Sequence, residues 1–250
     1  MTDVAAVISA TPIAEGEFRI GRVFSRTAAL LSRNFPTFFL VTVVASLPSV
    51  LITESGAAQS GGTGGALALP LVLLLLVLGT LSQAIVLHGA FQDMRGRPVN
   101  LFESLGVGFR RLLAIIGLAL SVGFAVGFAS LLLVVPGLIL LTMWYVATPA
   151  CIVERLGVFA SMRRSSALTK GHRWQVFGMM LLVCIAGFIV GSVIQAALAA
   201  TGGAGLVVAG SLIWNGAWAA FSAVLVVVTY HDLRVAKEGI DIHQIASVFD

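Results

Sequence analysis

Charge is scarce in this chain, and long stretches have none at all. Asp, Glu, Lys and Arg make up 10% of the 250 residues, where a soluble domain carries about 25%. Hydrophobic side chains make up 58%, more than the polar surface of a water-soluble fold of this size could cover. Cysteine is nearly missing. Cys151 and Cys184 both fall in apolar runs, which fits small hydrophobes better than a disulfide. Residues 1–17 hold Asp3, Glu15 and Glu17 but neither Lys nor Arg, so the basic start of a secretory signal is lacking. There is no P-loop, nucleophile elbow, carboxylate pair, HExxH or paired-cysteine spacing. His88, His172, His231 and His243 are isolated from one another. The residues therefore predict no catalytic group, no metal site and no cofactor. The net charge of +4 is spread as flanks of apolar runs, a poor match to nucleic acid.

What is present are six apolar runs, 35–53, 67–91, 112–134, 137–153, 175–199 and 206–230, none containing Asp, Glu, Lys or Arg. About 20 apolar residues cross a bilayer as a helix. The runs are continuous rather than alternating, which predicts helices and not barrel strands. The expected fold class is all-α: a polytopic membrane protein with six transmembrane helices.

Arg19, Arg22, Arg26 and Arg33 precede the first run, and Arg95, Arg97, Arg110 and Arg111 separate the second from the third. Arg155, Arg163, Arg164, Lys170 and Arg173 separate the fourth from the fifth, and Arg234 and Lys237 follow the sixth. These are all the Lys and Arg of the chain, and every one falls on the same side. The opposite side receives a Gly/Ser-rich loop at 54–66, a tight turn at 135–136 and a short turn at 201–205. The positive-inside rule places both termini in the cytoplasm. The organisation expected is a flexible cytoplasmic N-terminus (1–17), a membrane domain (18–230) and a cytoplasmic tail (231–250). Pro70 fits the first turn of the second span, while Pro48 and Pro149 are expected to kink or open spans one and four.

The chain reads as three parallel units, about 18–95, 100–155 and 157–234, each a basic amphipathic helix followed by two spans. In the first, Ile20, Val23, Phe24, Thr27, Leu30 and Leu31 share one face and the arginines the other. Such a helix is expected to lie at the surface, with its apolar face in the acyl boundary. Phe102, Leu105, Phe109 and Leu112 form the second face, and Val158, Met162 and Leu168 a weaker third. The units close alike, on Phe91-Gln92-Asp93-Met94-Arg95, Cys151-Ile152-Val153-Glu154-Arg155 and Tyr230-His231-Asp232-Leu233-Arg234. An acid followed by Arg suits a local ion pair at a helix end; a repeated headgroup contact is the functional reading.

Three side chains stand out within the runs as candidate intramembrane polar residues: Gln83, His88 and Asn215. An interhelical hydrogen bond is expected of Asn215, with a small polar cavity as the alternative. Gly123 with Gly127, and Gly187 with Gly191, form GxxxG spacings suited to close helix packing. Nine residues, Arg22, Arg26, Arg33, Arg110, Arg111, Arg163, Arg164, Lys170 and Arg173, form a basic collar and are candidate contacts for anionic lipid headgroups. No acid or base inside the runs suggests ion coupling. The residues point to a non-enzymatic membrane protein that binds or organises lipids or anchors a membrane or cytoplasmic partner. The alternative is a transporter or channel-like protein for an amphipathic or uncharged solute.

Three motifs carry a family resemblance. They are Val153-Glu154-Arg155-Leu156-Gly157 with Met162-Arg163-Arg164-Ser165 and Leu168-Thr169-Lys170-Gly171-His172-Arg173-Trp174, then Pro136-Gly137-Leu138, then Tyr230-His231-Asp232-Leu233-Arg234-Val235-Ala236-Lys237-Glu238-Gly239. Together they resemble the six-span membrane domain that accompanies some bacterial glycerophosphoryl diester phosphodiesterases, over about residues 18–241. The phosphodiesterase barrel is absent, so its activity does not carry over. The resemblance implies a bacterial inner-membrane location and an association with membrane lipids or lipid-derived diesters.

Overall fold

Backbone surrounded by lipid must satisfy its hydrogen bonds within each segment, and the described part of this chain does so entirely with helices. The computed structural model describes residues 18–54, 68–200 and 203–238. The expectations for 1–17, most of the 54–66 loop, the start of the 201–205 turn and the tail beyond 238 lie outside these residues. The helices are α1 (Ile20–Glu54), α2 (Ala68–Met94), α3 (Leu101–Leu132), α4 (Val134–Trp144), α5 (Ala147–Val153), α6 (Val158–Thr169), α7 (Arg173–Ala200) and α8 (Ala204–Glu238). With α4 and α5 taken together, six are long and apolar enough to cross a membrane. The chain is a multi-pass, all-α membrane protein.

Several expectations change in detail. Span four breaks between α4 and α5 at Tyr145 and Val146 (φ −102°, ψ 20°), one turn before Pro149. Pro149 has no N–H for the Tyr145 carbonyl and its ring crowds that carbonyl, so the helix gives way there. The first amphipathic segment and span one are a single helix bent at Asn34 (φ −118°, ψ 17°). Pro36, two residues on, removes the N–H that the Ser32 carbonyl would accept. Pro48 was expected to do the same, but α1 stays helical through it. The turn at 135–136 is displaced too. The chain reverses at the extended Leu133 (φ −156°), and Pro136 sits in the first turn of α4, where a missing N–H costs little. The segment expected as the tail from 231 starts as helix, because α8 continues to Glu238.

The core forms around α8, whose most extensive packing is against α1. Ala220, Val224, Leu225, Val227, Val228 and Leu233 are buried along it. The amphipathic helices turn part of their surface inward, contrary to the picture of helices lying freely on lipid. Val23, Thr27 and Leu30 of α1 are buried, as are Ser161, Ser165, Leu168 and Thr169 of α6. In the amphipathic first part of α3 the inward residues are the small Ser104 and Gly108, the latter against Leu81 and Ala84 of α2. Phe102 (87% exposed) and Phe109 (57%) point outward from the same helix.

The two GxxxG spacings behave differently. A Cβ at Gly191 would lie 2.9 Å from Trp214 Nε1, and Gly187 faces Trp218 as closely, so α7 meets the two stacked tryptophans of α8 through these glycines. Gly123 and Gly127 of α3 face open space. Their spacing packs against nothing among the described residues.

Candidate anion-binding site

The turn from α2 to α3 builds one wall of a basic cavity. Gly96 (φ 70°) allows the reversal. Asn100 caps α3 by accepting the Glu103 N–H at 3.2 Å. Gln92 then ties the turn together: its side chain accepts the Asn100 N–H at 2.8 Å and donates to Glu103 Oε2 at 2.9 Å. His88 Nδ1 lies 3.0 Å from Ser104 Oγ, joining the next turns of α2 and α3. These bonds hold α3 alongside α2 and carry Arg110 and Arg111 toward the end of α5.

Arg155, just past α5, supplies the opposite wall. It adopts the left-handed conformation (φ 55°), which costs a residue with a Cβ about 1–2 kcal/mol. Its carbonyl accepts a hydrogen bond from Arg111 Nη1 at 3.2 Å. The open cavity between them is about 420 Å³ and its polar lining is His88, Gln92, Arg95, Arg110, Arg111 and Arg155. Among the described residues, none of these four arginines has a carboxylate within ion-pair distance.

The acids that would neutralise them are engaged elsewhere. The closing motifs suggested that each acid pairs with the arginine that follows it, and no unit does this. Asp93 faces Arg33 at 3.7 Å, Glu154 binds Arg164 at 2.8 Å, and Asp232 binds Arg26 at 2.6 Å. Each acid thus pairs with an arginine of an amphipathic helix. Arg95 and Arg155 are left to the cavity, while Arg234 bonds Glu238 at 2.8 Å. Arg164 also reaches Glu238, and Tyr230 donates to Glu154 Oε1 at 2.6 Å. The Tyr230 ring meets Phe91 edge to face at 5.9 Å. Residues from all three closing motifs therefore meet at Tyr230.

Of the nine collar residues, Arg110 and Arg111 line the cavity. Arg26, Arg33 and Arg164 are committed to carboxylates. Partial burial works against the charge on Arg164, but hydrogen bonds to Glu154 and Glu238 outweigh it and hold its pKa above the ordinary arginine value. Arg163 and Lys170 are exposed, and Arg22 and Arg173 are half-buried. Arg173 lines an apolar groove of about 380 Å³ with Trp174 and α4. Arg95 and Arg155 were absent from the sequence candidates. Their signal was the repeated acid-then-arginine motif, which local pairing seemed to explain.

The three intramembrane candidates separate. His88 belongs to the wall of the basic cavity, and Gln83 lines a different cavity between α1, α2 and α8. Asn215 makes no interhelical bond among the described residues. Its side chain donates to the Ser211 carbonyl of its own helix at 2.7 Å. The interhelical link at this level runs instead from Gln195 to Ser211 (2.9 Å) and from Ser211 to Glu54 (2.8 Å), tying α7, α8 and α1.

Comparison with protein families, with curated proteins and with solved structures returned no match for this chain.

Proposed function

We propose that this membrane protein binds the phosphate-bearing headgroup of an anionic phospholipid in the cavity formed by Arg95, Arg110, Arg111 and Arg155. The reading places the basic end at the cytoplasmic leaflet of a bacterial inner membrane, following the one-sided distribution of Lys and Arg. One observation carries it: four guanidinium groups share a single cavity without a carboxylate among the described residues. Four cations lining one cavity with no carboxylate among them favour an anion there. Arginine matches phosphate with paired donors, and each hydrogen bond to a charged group contributes about 1.5–3 kcal/mol net. Phe109, beside Arg110, and Phe102 face outward on α3, leaving apolar surface beside the cavity for the acyl part of a lipid. The resemblance to a membrane domain associated with phosphodiester chemistry accords with such a ligand. The protein's role in this reading is non-enzymatic: it holds or organises lipid, and a partner could dock through the same headgroups.

The test is lipid retention. Protein in nanodiscs of mixed phosphatidylglycerol and phosphatidylcholine is extracted in mild detergent, and bound lipid is counted by native mass spectrometry. Phosphatidylglycerol is expected to be retained preferentially, and the Arg95→Gln/Arg155→Gln protein is expected to lose that preference. Soluble glycerol phosphate at saturation separates a headgroup site from a site for free phosphates. Equal retention of both lipids by the native chain would defeat the proposal.

A further inference from the structure

A second cavity, of about 370 Å³, lies between α1, α2 and α8 and has a different chemistry. It is bounded by residues 42–49 of α1, 75–83 of α2 and 219–226 of α8, near the middle of each membrane-spanning stretch. Its polar lining is Thr42, Ser46, Ser49, Ser82, Gln83 and Ser222, and it contains no ionisable side chain. Three of these are already used. Thr42 donates to the Gly216 carbonyl at 2.8 Å, Ser46 to the Val43 carbonyl at 3.0 Å, and Ser49 to the Ser46 carbonyl at 2.8 Å. Their oxygens keep lone pairs free to accept.

The remaining three differ. Ser82 (7% exposed) is buried, Gln83 and Ser222 are half-buried, and none of the three makes a side-chain hydrogen bond to a described residue. A buried hydroxyl without a partner, such as that of Ser82, costs about 1–3 kcal/mol, and with the unpartnered Gln83 amide beside it the cavity calls for an occupant that both donates and accepts. An acyl chain would satisfy none of these groups. An ion would find no opposite charge. The space equals about a dozen waters at about 30 Å³ each. We infer that this cavity binds an uncharged polyhydroxy small molecule, of polyol or monosaccharide size, within the membrane. The inference is independent of the arginine cavity and uses none of its residues.

Thiol chemistry tests it in the full-length protein in nanodiscs. Cys184 is exposed and is replaced by Ala; Cys151 is buried and stays. Ser82→Cys and, separately, Ser222→Cys are introduced, with Val72→Cys on the exposed surface of α2 as the comparison. A small water-soluble thiosulfonate reacts only with a thiolate, so a thiol in apolar surroundings reacts more slowly by about tenfold or more. Both cavity cysteines are expected to react at least that much faster than Val72→Cys. Glycerol and erythritol are expected to slow the reaction, and raffinose, too large to enter, is not. Gly79→Leu fills the space, since a Cβ there meets nothing within 4 Å, and is expected to abolish both the reaction and the protection. Reaction rates equal to Val72→Cys would overturn the inference. So would a failure of both polyols to protect, or equal protection by raffinose.

Discussion

The surroundings of α8 and of α3 show two uses of similar side chains. Half of the apolar window of α8 is buried, against 11% for α3. Around α8, arginines meet acids: Arg26 with Asp232, Arg164 with Glu154 and Glu238, Arg234 with Glu238. On and beside α3, Arg95, Arg110, Arg111 and Arg155 line one cavity without an acid. The glycines divide in the same way, Gly187 and Gly191 packing on α8 tryptophans while Gly123 and Gly127 face open space. Where charges and small residues are satisfied internally they hold the fold; where they are not, they are available to a ligand.

The comparison breaks most visibly at Glu154. Glu154→Gln removes the acid shared by Arg164 and Tyr230 and is expected to cost about 2–3 kcal/mol, as loss of a partner in a part-buried charged network does. Thermal unfolding in detergent reads this, and Arg110→Gln measured alongside should leave the midpoint unchanged or slightly higher. The glycines give the next effect. Gly191→Ala forces its methyl against Trp214 and is expected to cost about 1–3 kcal/mol. Gly127→Ala is expected to raise stability by up to about 1 kcal/mol, because the helix gains and nothing clashes. A matching loss at both glycines would erase the distinction between the two helices.

A third effect belongs to binding. Arg155→Gln alone is expected to weaken retention of phosphatidylglycerol by about tenfold, the equivalent of about 1.4 kcal/mol. Its thermal midpoint in zwitterionic detergent should hold, and a fall there would instead mark Arg155 as part of the scaffold. The smallest effect concerns pH. Burial first, and Lys237 second, lower the pKa of His172 in the turn between α6 and α7. The folded state therefore favours the neutral ring. That contribution is complete above the ordinary histidine pKa of about 6.5 and is lost as pH falls through and below it. His172→Gln is expected to flatten the acid-side decline of the unfolding midpoint between about pH 7.5 and 5.5. Parallel slopes for the two proteins would remove His172 from the account.

Much of the fold was legible because lipid makes a simple demand. Six long uncharged runs can satisfy their backbone only as helices, and the helices stand where the runs do. Boundaries at prolines were harder, because Pro36, Pro48, Pro136 and Pro149 have the same local chemistry and different outcomes. Only neighbouring packing selects which one breaks a helix. The site was half legible. Arg110 and Arg111 stood out as a basic pair, whereas Arg95 and Arg155 looked neutralised by Asp93 and Glu154. Sequence spacing shows which partners are near along the chain, but Arg33 and Arg164 approach those acids only once the helices pack.

The amino-acid order alone determined that the chain is helical, that it crosses a membrane and that its cations flank the apolar runs, since each follows from the transfer of side chains and backbone between water and hydrocarbon. Tertiary structure alone decided which cations are spent on acids and which remain, and which polar groups end beside a cavity without a partner. Pairing depends on distances of 3–4 Å between different helices, and those distances exist only after the helices have packed.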